Sequence, residues 1–163
     1  MFRSYLSVCI VYHIFYLLNQ IHAGSCTGGF VKNDEYCYAF MDHLETWVEA
    51  SANCKSLNAY LAEPKNKQEN DFVKQLVQSH VPFPGGVGVW LGGQDQVIEG
   101  KLFWAQSGAP VEVFTDWNNG KPNNVGSEDC LVLSTYHYNW NDIPCNRTQL
   151  FVCQKDLTTD VFG

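Results

Sequence analysis

The chain has 163 residues, enough for one domain of ordinary size, and 14% of them are aromatic, which supplies the large side chains of a packed core. Its formal net charge of −7, without a lysine or arginine cluster, argues against partners such as nucleic acid or an anionic membrane. An excess of carboxylates either keeps a protein soluble or serves a cation. Only local clustering separates these two roles.

Residues 1–23 are predicted to be a secretory signal peptide. Arg3 precedes an almost unbroken apolar run over residues 5–18, and Ala23 lies at a suitable cleavage point. A membrane anchor is the alternative, but it requires about 20 apolar residues. The mature protein is therefore expected to be residues 24–163, soluble and secreted to the extracellular space.

The mature cysteines form an even set once cleavage removes Cys9. They are Cys26, Cys37, Cys54, Cys130, Cys145 and Cys153. An even set in an oxidising compartment predicts three disulfide bonds, although spacing alone does not choose among the possible pairings. No C-x-x-C pair occurs among them, which argues against a zinc ribbon.

Two helices are predicted early in the chain, each starting with the spacing of a capping box. Thr46 and Glu49 start the first, and Asn66 and Glu69 start the second. The buried face of the first comprises Trp47, Ala50, Cys54 and Leu57. The buried face of the second comprises Phe72, Val73, Leu76 and Val77. Residues 82–86, Pro-Phe-Pro-Gly-Gly, are predicted to end it.

The rest of the chain is predicted to be short strands around one long irregular segment. The strand candidates are residues 87–91, 102–105, 130–134, 138–140 and 151–154. The segment between Ala105 and Cys130 is rich in Gly, Pro, Asn and Asp, and loops of this length in compact domains usually carry function. Helices first and strands afterwards indicate an α+β domain.

Ordered landmarks along the chain resemble the C-type lectin-like domain, in the form of a secreted single-domain C-type lectin. The landmarks are Cys37-Tyr38, the Cys54 helix, Trp90-Leu-Gly-Gly93, Phe103-Trp104, Asn118 to Cys130, Trp140-Asn-Asp142 and Phe151-Val-Cys153. The similarity runs from Cys26 to Cys153, within a domain core of about residues 26–155. It implies two helices packed on two small antiparallel sheets, with a long calcium and ligand loop.

The resemblance also implies the disulfide pairing. Cys54–Cys153 would join the first helix to the last strand, and Cys130–Cys145 would brace the ligand loop. Cys26–Cys37 would close an amino-terminal hairpin, as in the long form of the domain. Each bond is expected to stabilise the fold by about 2–4 kcal/mol, chiefly by restricting the unfolded chain.

The principal calcium and sugar site that the resemblance implies has four side chains, here called the principal set. They are Asn123, Glu128, Asn141 and Asp142. Amide and carboxylate oxygens suit calcium, and the same groups hydrogen-bond vicinal sugar hydroxyls. Val125 occupies the loop-edge position where related lectins contact sugar. The Lys121–Pro122 bond is expected to be cis, turning its flanking side chains towards one centre.

Lys121 departs from the family pattern. Glutamate at this position followed by Pro-Asn accompanies mannose-type sugars, and glutamine followed by Pro-Asp accompanies galactose-type sugars. Lysine has three donors and no acceptor, so it cannot ligate calcium, and it makes the side-chain charge of the site less negative. Calcium binding is expected to weaken, unless Lys121 swings into solvent and water takes its place.

A second calcium site is implied by four other side chains, here called the auxiliary set. They are Asp95, Glu99, Asn124 and Asp129. The alternative is that Asp95 and Glu99 are ordinary solvated acids of a surface loop. Calcium here would hold the long loop without touching sugar.

Three function classes remain in comparison. The leading one is calcium-assisted glycan binding, for mannose/fucose-type or galactose-type sugars on cells or microbes, as in innate pattern recognition. The alternative is a calcium-independent protein-binding module that lost sugar binding because of Lys121. Catalysis is not expected, because the mature histidines are scattered and all mature cysteines are assigned to disulfides.

Two further expectations concern single residues. Trp90, Trp104 and Trp140 are expected in the core, and Asn146-Arg-Thr148 is a glycosylation acceptor.

Overall fold

The computed structural model describes residues 25–81 and 85–157, so the predicted signal peptide lies outside the described residues. Within these ranges the helices are α1 (Trp47–Ser56) and α2 (Lys67–His80). The strands are β1 (Val31–Asn33), β2 (Tyr36–Glu45), β3 (Tyr60–Leu61), β4 (Gly88–Gln94), β5 (Phe103–Trp104), β6 (Cys130–Ser134), β7 (Trp140–Ile143) and β8 (Gln149–Asp156).

The strands form one mixed sheet in the order β1-β2-β8-β4-β6-β7, with β3 paired to β8 and β5 paired to β4. All pairs are antiparallel except β4 with β8, where Val89 lies opposite Leu150 and Trp90 opposite Phe151. The α+β class is confirmed. The two antiparallel sheets of the expected architecture are joined through this parallel pair, so the sheet is continuous from the amino-terminal hairpin to the ligand loop.

The sequence prediction missed the strands that surround the first helix. Strand β2 runs along β8 over most of its length, and its residues read as a mixed polar and apolar run rather than a clean alternation. Strand β7 begins at Trp140 rather than Tyr138, because Tyr138 has a φ of 55° and belongs to the preceding turn.

Both helices begin where their capping residues predict. The Thr46 side chain accepts from the Glu49 amide, and the Glu49 carboxylate accepts from the Thr46 amide at 3.0 Å. Asn66 caps α2 by accepting from the Glu69 amide at 2.9 Å, but the Glu69 carboxylate accepts from the Lys65 amide at 2.9 Å, so only half of the predicted capping box forms. Leu57 is not buried as predicted, because α1 ends at Ser56 and Leu57 is 40% exposed. The 82–86 stop signal falls partly outside the described residues.

The three disulfides are Cys26–Cys37, Cys54–Cys153 and Cys130–Cys145, which confirms the pairing implied by the resemblance.

The hydrophobic core has two clusters, one on each face of strand β4. Trp90 points into one cluster, and Val89 and Leu91 point into the other. The second cluster contains Trp104 and Trp140, and it supports the segment that follows β5.

Candidate ligand loop

Trp140 anchors the long segment between β5 and β6. Its ring is fully buried and meets Trp104, Phe114 and Trp117 edge to face, with ring centroids 5.6–5.7 Å apart. Its indole nitrogen donates to Asn70 Oδ1 of α2 at 2.9 Å. The expectation that Trp90, Trp104 and Trp140 belong to the core is confirmed. Because Trp140 is fixed, the two residues after it in β7 are held in place.

The backbone of the loop is tied to β7 on one side. Asn118 donates its amide to the Trp140 carbonyl at 2.8 Å, and the Trp140 amide donates to the Asp116 carbonyl at 2.8 Å. The Lys121–Pro122 bond is cis, as the resemblance implies, and Asn124 has a φ of 50°. This path brings the amides of Asn123 and Asn124 next to Asp142 of β7.

Three of the four members of the principal set contact the side chain of Lys121. The ammonium nitrogen donates to Asn123 Oδ1 at 2.7 Å and to Glu128 Oε2 at 2.9 Å. It lies 3.1 Å from Asp142 Oδ1 and 3.4 Å from the Asp142 carbonyl oxygen. The Lys121 side chain is only 18% exposed, so the structure places it inside the oxygen set rather than in solvent.

Asp142 connects this set to the backbone of the loop. Its carboxylate is almost fully buried, and Oδ2 accepts from the amides of Asn123 at 2.9 Å and Asn124 at 2.7 Å. Its other oxygen faces Lys121. One carboxylate therefore fixes both the loop backbone and the lysine. Asn141, the fourth member, keeps Oδ1 buried without a hydrogen-bond partner.

The charge of Lys121 is favoured by these neighbours. Burial alone would lower the pKa of its ammonium, but the hydrogen bonds and charges of Glu128 and Asp142 outweigh burial and raise the pKa above its ordinary value. Lys121 is therefore a cation at neutral pH. A calcium ion there would compete with the ammonium for Asn123 Oδ1 and Glu128 Oε2, which already accept from it, whereas Asn141 Oδ1 accepts no hydrogen bond.

The auxiliary set joins this loop to the segment between β4 and β5. Asp95 is 3% exposed, donates its amide to the Asp129 carbonyl at 3.0 Å, and accepts from the Gly100 amide at 3.0 Å. The Asn124 side-chain amide donates to Glu99 Oε1. Three buried oxygens of the set have no hydrogen-bond partner: Asp95 Oδ1, Asn124 Oδ1 and Asp129 Oδ1.

These three oxygens fit a hard cation, because buried acceptors without donors are otherwise costly. Burial raises the pKa of Asp95, and the negative charges of Asp129 and Asp142 add to this, although the Gly100 amide opposes it. Within residues 25–81 and 85–157 no three His, Cys, Asp or Glu side chains converge as a metal centre requires. Calcium would therefore depend on the Asn124 amide oxygen as well as the acids.

An open groove borders the principal set, and sequence reasoning did not find it. Its volume is about 450 Å³, and we name it the Tyr136 groove after its most exposed aromatic residue. Its lining includes Glu128, Val132, Tyr136, Asn141, Ile143 and Arg147. Glu128 and Asn141 belong to both the groove and the principal set. The groove is formed jointly by β6, β7 and the segment before β8. No local sequence pattern therefore predicts it.

Two further predicted residues lie at the rim of the loop. Val125 is 66% exposed beside Asn124. Asn146 is exposed next to the Cys130–Cys145 disulfide and borders a shallow depression shared with Ser127 and Asp129. Both are accessible to a ligand or to a modifying enzyme. Within the part of the chain that the structure describes, no helix is long and apolar enough to cross a bilayer.

Comparison with known proteins agrees with this architecture. The family model for the lectin C-type domain matches residues 43–155. Perlucin of Haliotis laevigata is 33% identical over 134 residues, covering 80% of this chain and 83% of perlucin. Perlucin-like protein of Mytilus galloprovincialis is 31% identical over 131 residues, covering 79% of this chain and 82% of that protein.

Solved structures share the fold but differ in their use of calcium. A calcium-independent type II antifreeze protein aligns with a TM-score of 0.73 and 26% identity, covering 84% of this chain and 98% of its own. The fold therefore occurs without calcium among its relatives. On the extent of the domain match and the likeness to perlucin, the chain belongs to the C-type lectin domain family.

Proposed function

We propose that this protein is a secreted lectin that binds glycans on cells or microbes, as in innate pattern recognition. The observation that carries the proposal is the Tyr136 groove, whose wall contains Glu128 and Asn141 of the principal set. The family to which the chain belongs is a binding domain. Residues 1–23 would direct export, and Asn146 would carry a glycan in the secretory pathway.

The groove has the mixed chemistry that a pyranose requires. Val132 and Ile143 give it an apolar floor, while the Glu128 carboxylate and the Asn141 amide offer an acceptor and donors to hydroxyls. Tyr136 is 68% exposed, so its ring is free to stack on the C–H face of a sugar.

Calcium enters this proposal through the auxiliary set only. Asp95, Asn124 and Asp129 supply the buried oxygens described above, and Glu99 lies beside Asn124. Calcium there would contribute positive charge that holds the loop and would not contact sugar. Asn123, Asp142 and Val125 would then shape the rim of the glycan site, and Lys121 would alter which sugar is preferred.

Asn141→Ala is expected to weaken glycan binding about five- to tenfold, because it removes an amide from the groove wall; a lost hydrogen bond of about 1–1.4 kcal/mol corresponds to that range. Equilibrium binding to immobilised mannose, fucose and galactose measures it. Gln78→Ala, on the exposed end of α2, is the matched control and should leave binding unchanged. If the native protein is retained on none of the three sugars, the lectin proposal fails.

A protein-binding module is the second candidate, and one observation favours it. Lys121 directs its donors to its own loop, while Val97, Val113 and Val125 are 66–90% exposed. Exposed apolar side chains of this kind suit a protein surface better than a sugar. Failure on all sugars, combined with saturable binding of one purified protein that Val125→Asp abolishes, would support this candidate.

A further inference from the structure

The ligand loop already contains a cation of its own, the Lys121 ammonium. We propose that this ammonium is the permanent cation of the principal set and that it excludes calcium from the sugar-facing site. The proposal concerns the loop used in the proposed function but stands without it, because a bound ion is counted without any glycan. It also predicts that no calcium ion contacts a glycan bound in the Tyr136 groove.

The contacts match the valence of an ammonium group. Lys121 has three N–H donors, and its nitrogen donates to Asn123 Oδ1 at 2.7 Å and Glu128 Oε2 at 2.9 Å, with a longer contact to the Asp142 carbonyl oxygen at 3.4 Å. Asp142 Oδ1 lies 3.1 Å away as an ion-pair partner. These are ordinary distances for charge-assisted hydrogen bonds and ion pairs. One side chain therefore gives hydrogen bonds to two residues that would otherwise be calcium ligands and an ion pair to a third.

Charge explains why the Lys121 ammonium and a calcium ion cannot occupy the principal set together. Glu128 and Asp142 bring two negative charges, and the lysine neutralises one of them at close range. A calcium ion among the same oxygens would stand next to the ammonium, and like charges at that distance repel strongly in a partly buried site. Calcium could enter only if Lys121 left both carboxylates for solvent.

The covalent tether gives the cation a different behaviour from a bound metal. Calcium leaves when a chelator is added or when its concentration falls, and a loop that depends on it loses order. Lys121 is part of the chain, so its contacts with Asn123, Glu128 and Asp142 persist in chelator. The sugar-facing side of the loop is thus permanently ordered.

Counting bound calcium tests the proposal. Lys121→Glu replaces the ammonium with a carboxylate, so this variant is expected to bind one more calcium per chain than the native protein in equilibrium dialysis at millimolar calcium. Lys55→Glu, which makes the same charge change on the exposed face of α1, should bind the native number. Equal counts in native and Lys121→Glu protein would overturn the proposal.

Two neutral variants keep the test decisive if Lys121→Glu does not fold. Lys121→Gln offers an amide oxygen and is also expected to gain one calcium, with weaker affinity. Lys121→Met adds no oxygen ligand and removes the internal cation, so in chelator the principal set is left without any cation. In chelator, its amides over residues 121–129 are expected to exchange hydrogen at least tenfold faster than in native protein. Unchanged exchange in Lys121→Met, or no gain in Lys121→Gln, would contradict the proposal.

Discussion

In excess chelator, Asp142→Ala is expected to lower the free energy of unfolding by about 3 kcal/mol. The carboxylate is 1% exposed, and it accepts two loop amides through one oxygen and faces Lys121 through the other. Its removal leaves the amides of Asn123 and Asn124 without a partner and the ammonium with one carboxylate. Urea unfolding followed by tryptophan fluorescence measures the loss.

The chelator makes this prediction specific to the internal cation. If Asp142 mattered only as a calcium ligand, its removal would change little once calcium is gone. Asp42→Ala is the matched control, because that carboxylate is 94% exposed, and it should change stability by less than about 0.5 kcal/mol. A double-mutant cycle of Asp142→Ala with Lys121→Met should show coupling of about 1–3 kcal/mol. Additive effects would mean that the pair does not stabilise the loop.

Trp140→Ala is expected to destabilise the fold by about 3–5 kcal/mol, the range for removing a large aromatic side chain from a core. Three aromatic rings meet the indole edge to face, and Asn70 of α2 accepts from its nitrogen. The substitution opens a cavity and leaves the Asn70 oxygen unpaired. Thermal unfolding should show a correspondingly lower midpoint.

Trp140→Phe separates the two contributions, because it keeps an aromatic ring and removes only the indole hydrogen bond and part of the volume. It should cost about half as much as Trp140→Ala. Tyr136→Ala, at an exposed aromatic residue of the neighbouring turn, should cost less than about 0.5 kcal/mol. Equal losses at Trp140 and Tyr136 would contradict the view that Trp140 holds the loop in place.

Local signals predicted the features whose cause is local. Thr46 and Asn66 mark helix starts because a short polar side chain before an amphipathic run satisfies free amides, and both cap as predicted. Strand β2 was missed because its main partner, β8, is distant in sequence and its own pattern is mixed. Its structure is decided by pairing rather than by propensity.

The candidate site also combines features that local sequence predicts with features that it does not. Its residues could be chosen from the sequence because oxygen ligands and cysteines are concentrated there, and the loop does bring Asn123, Glu128 and Asp142 around one centre. The position of the Lys121 side chain could not be predicted from the sequence, because a lysine next to two carboxylates either pairs with them or extends into water. Burial against Asp142, which a sequence does not contain, decides that choice.

A crystal structure grown in millimolar calcium tests the central claim most directly, through the density among Asn123, Glu128 and Asp142. We expect the Lys121 ammonium there, about 2.7–3.1 Å from its oxygen partners, with any calcium confined to the auxiliary set. A calcium ion at that centre, with six to eight oxygens at about 2.3–2.6 Å and Lys121 extended into solvent, would contradict it.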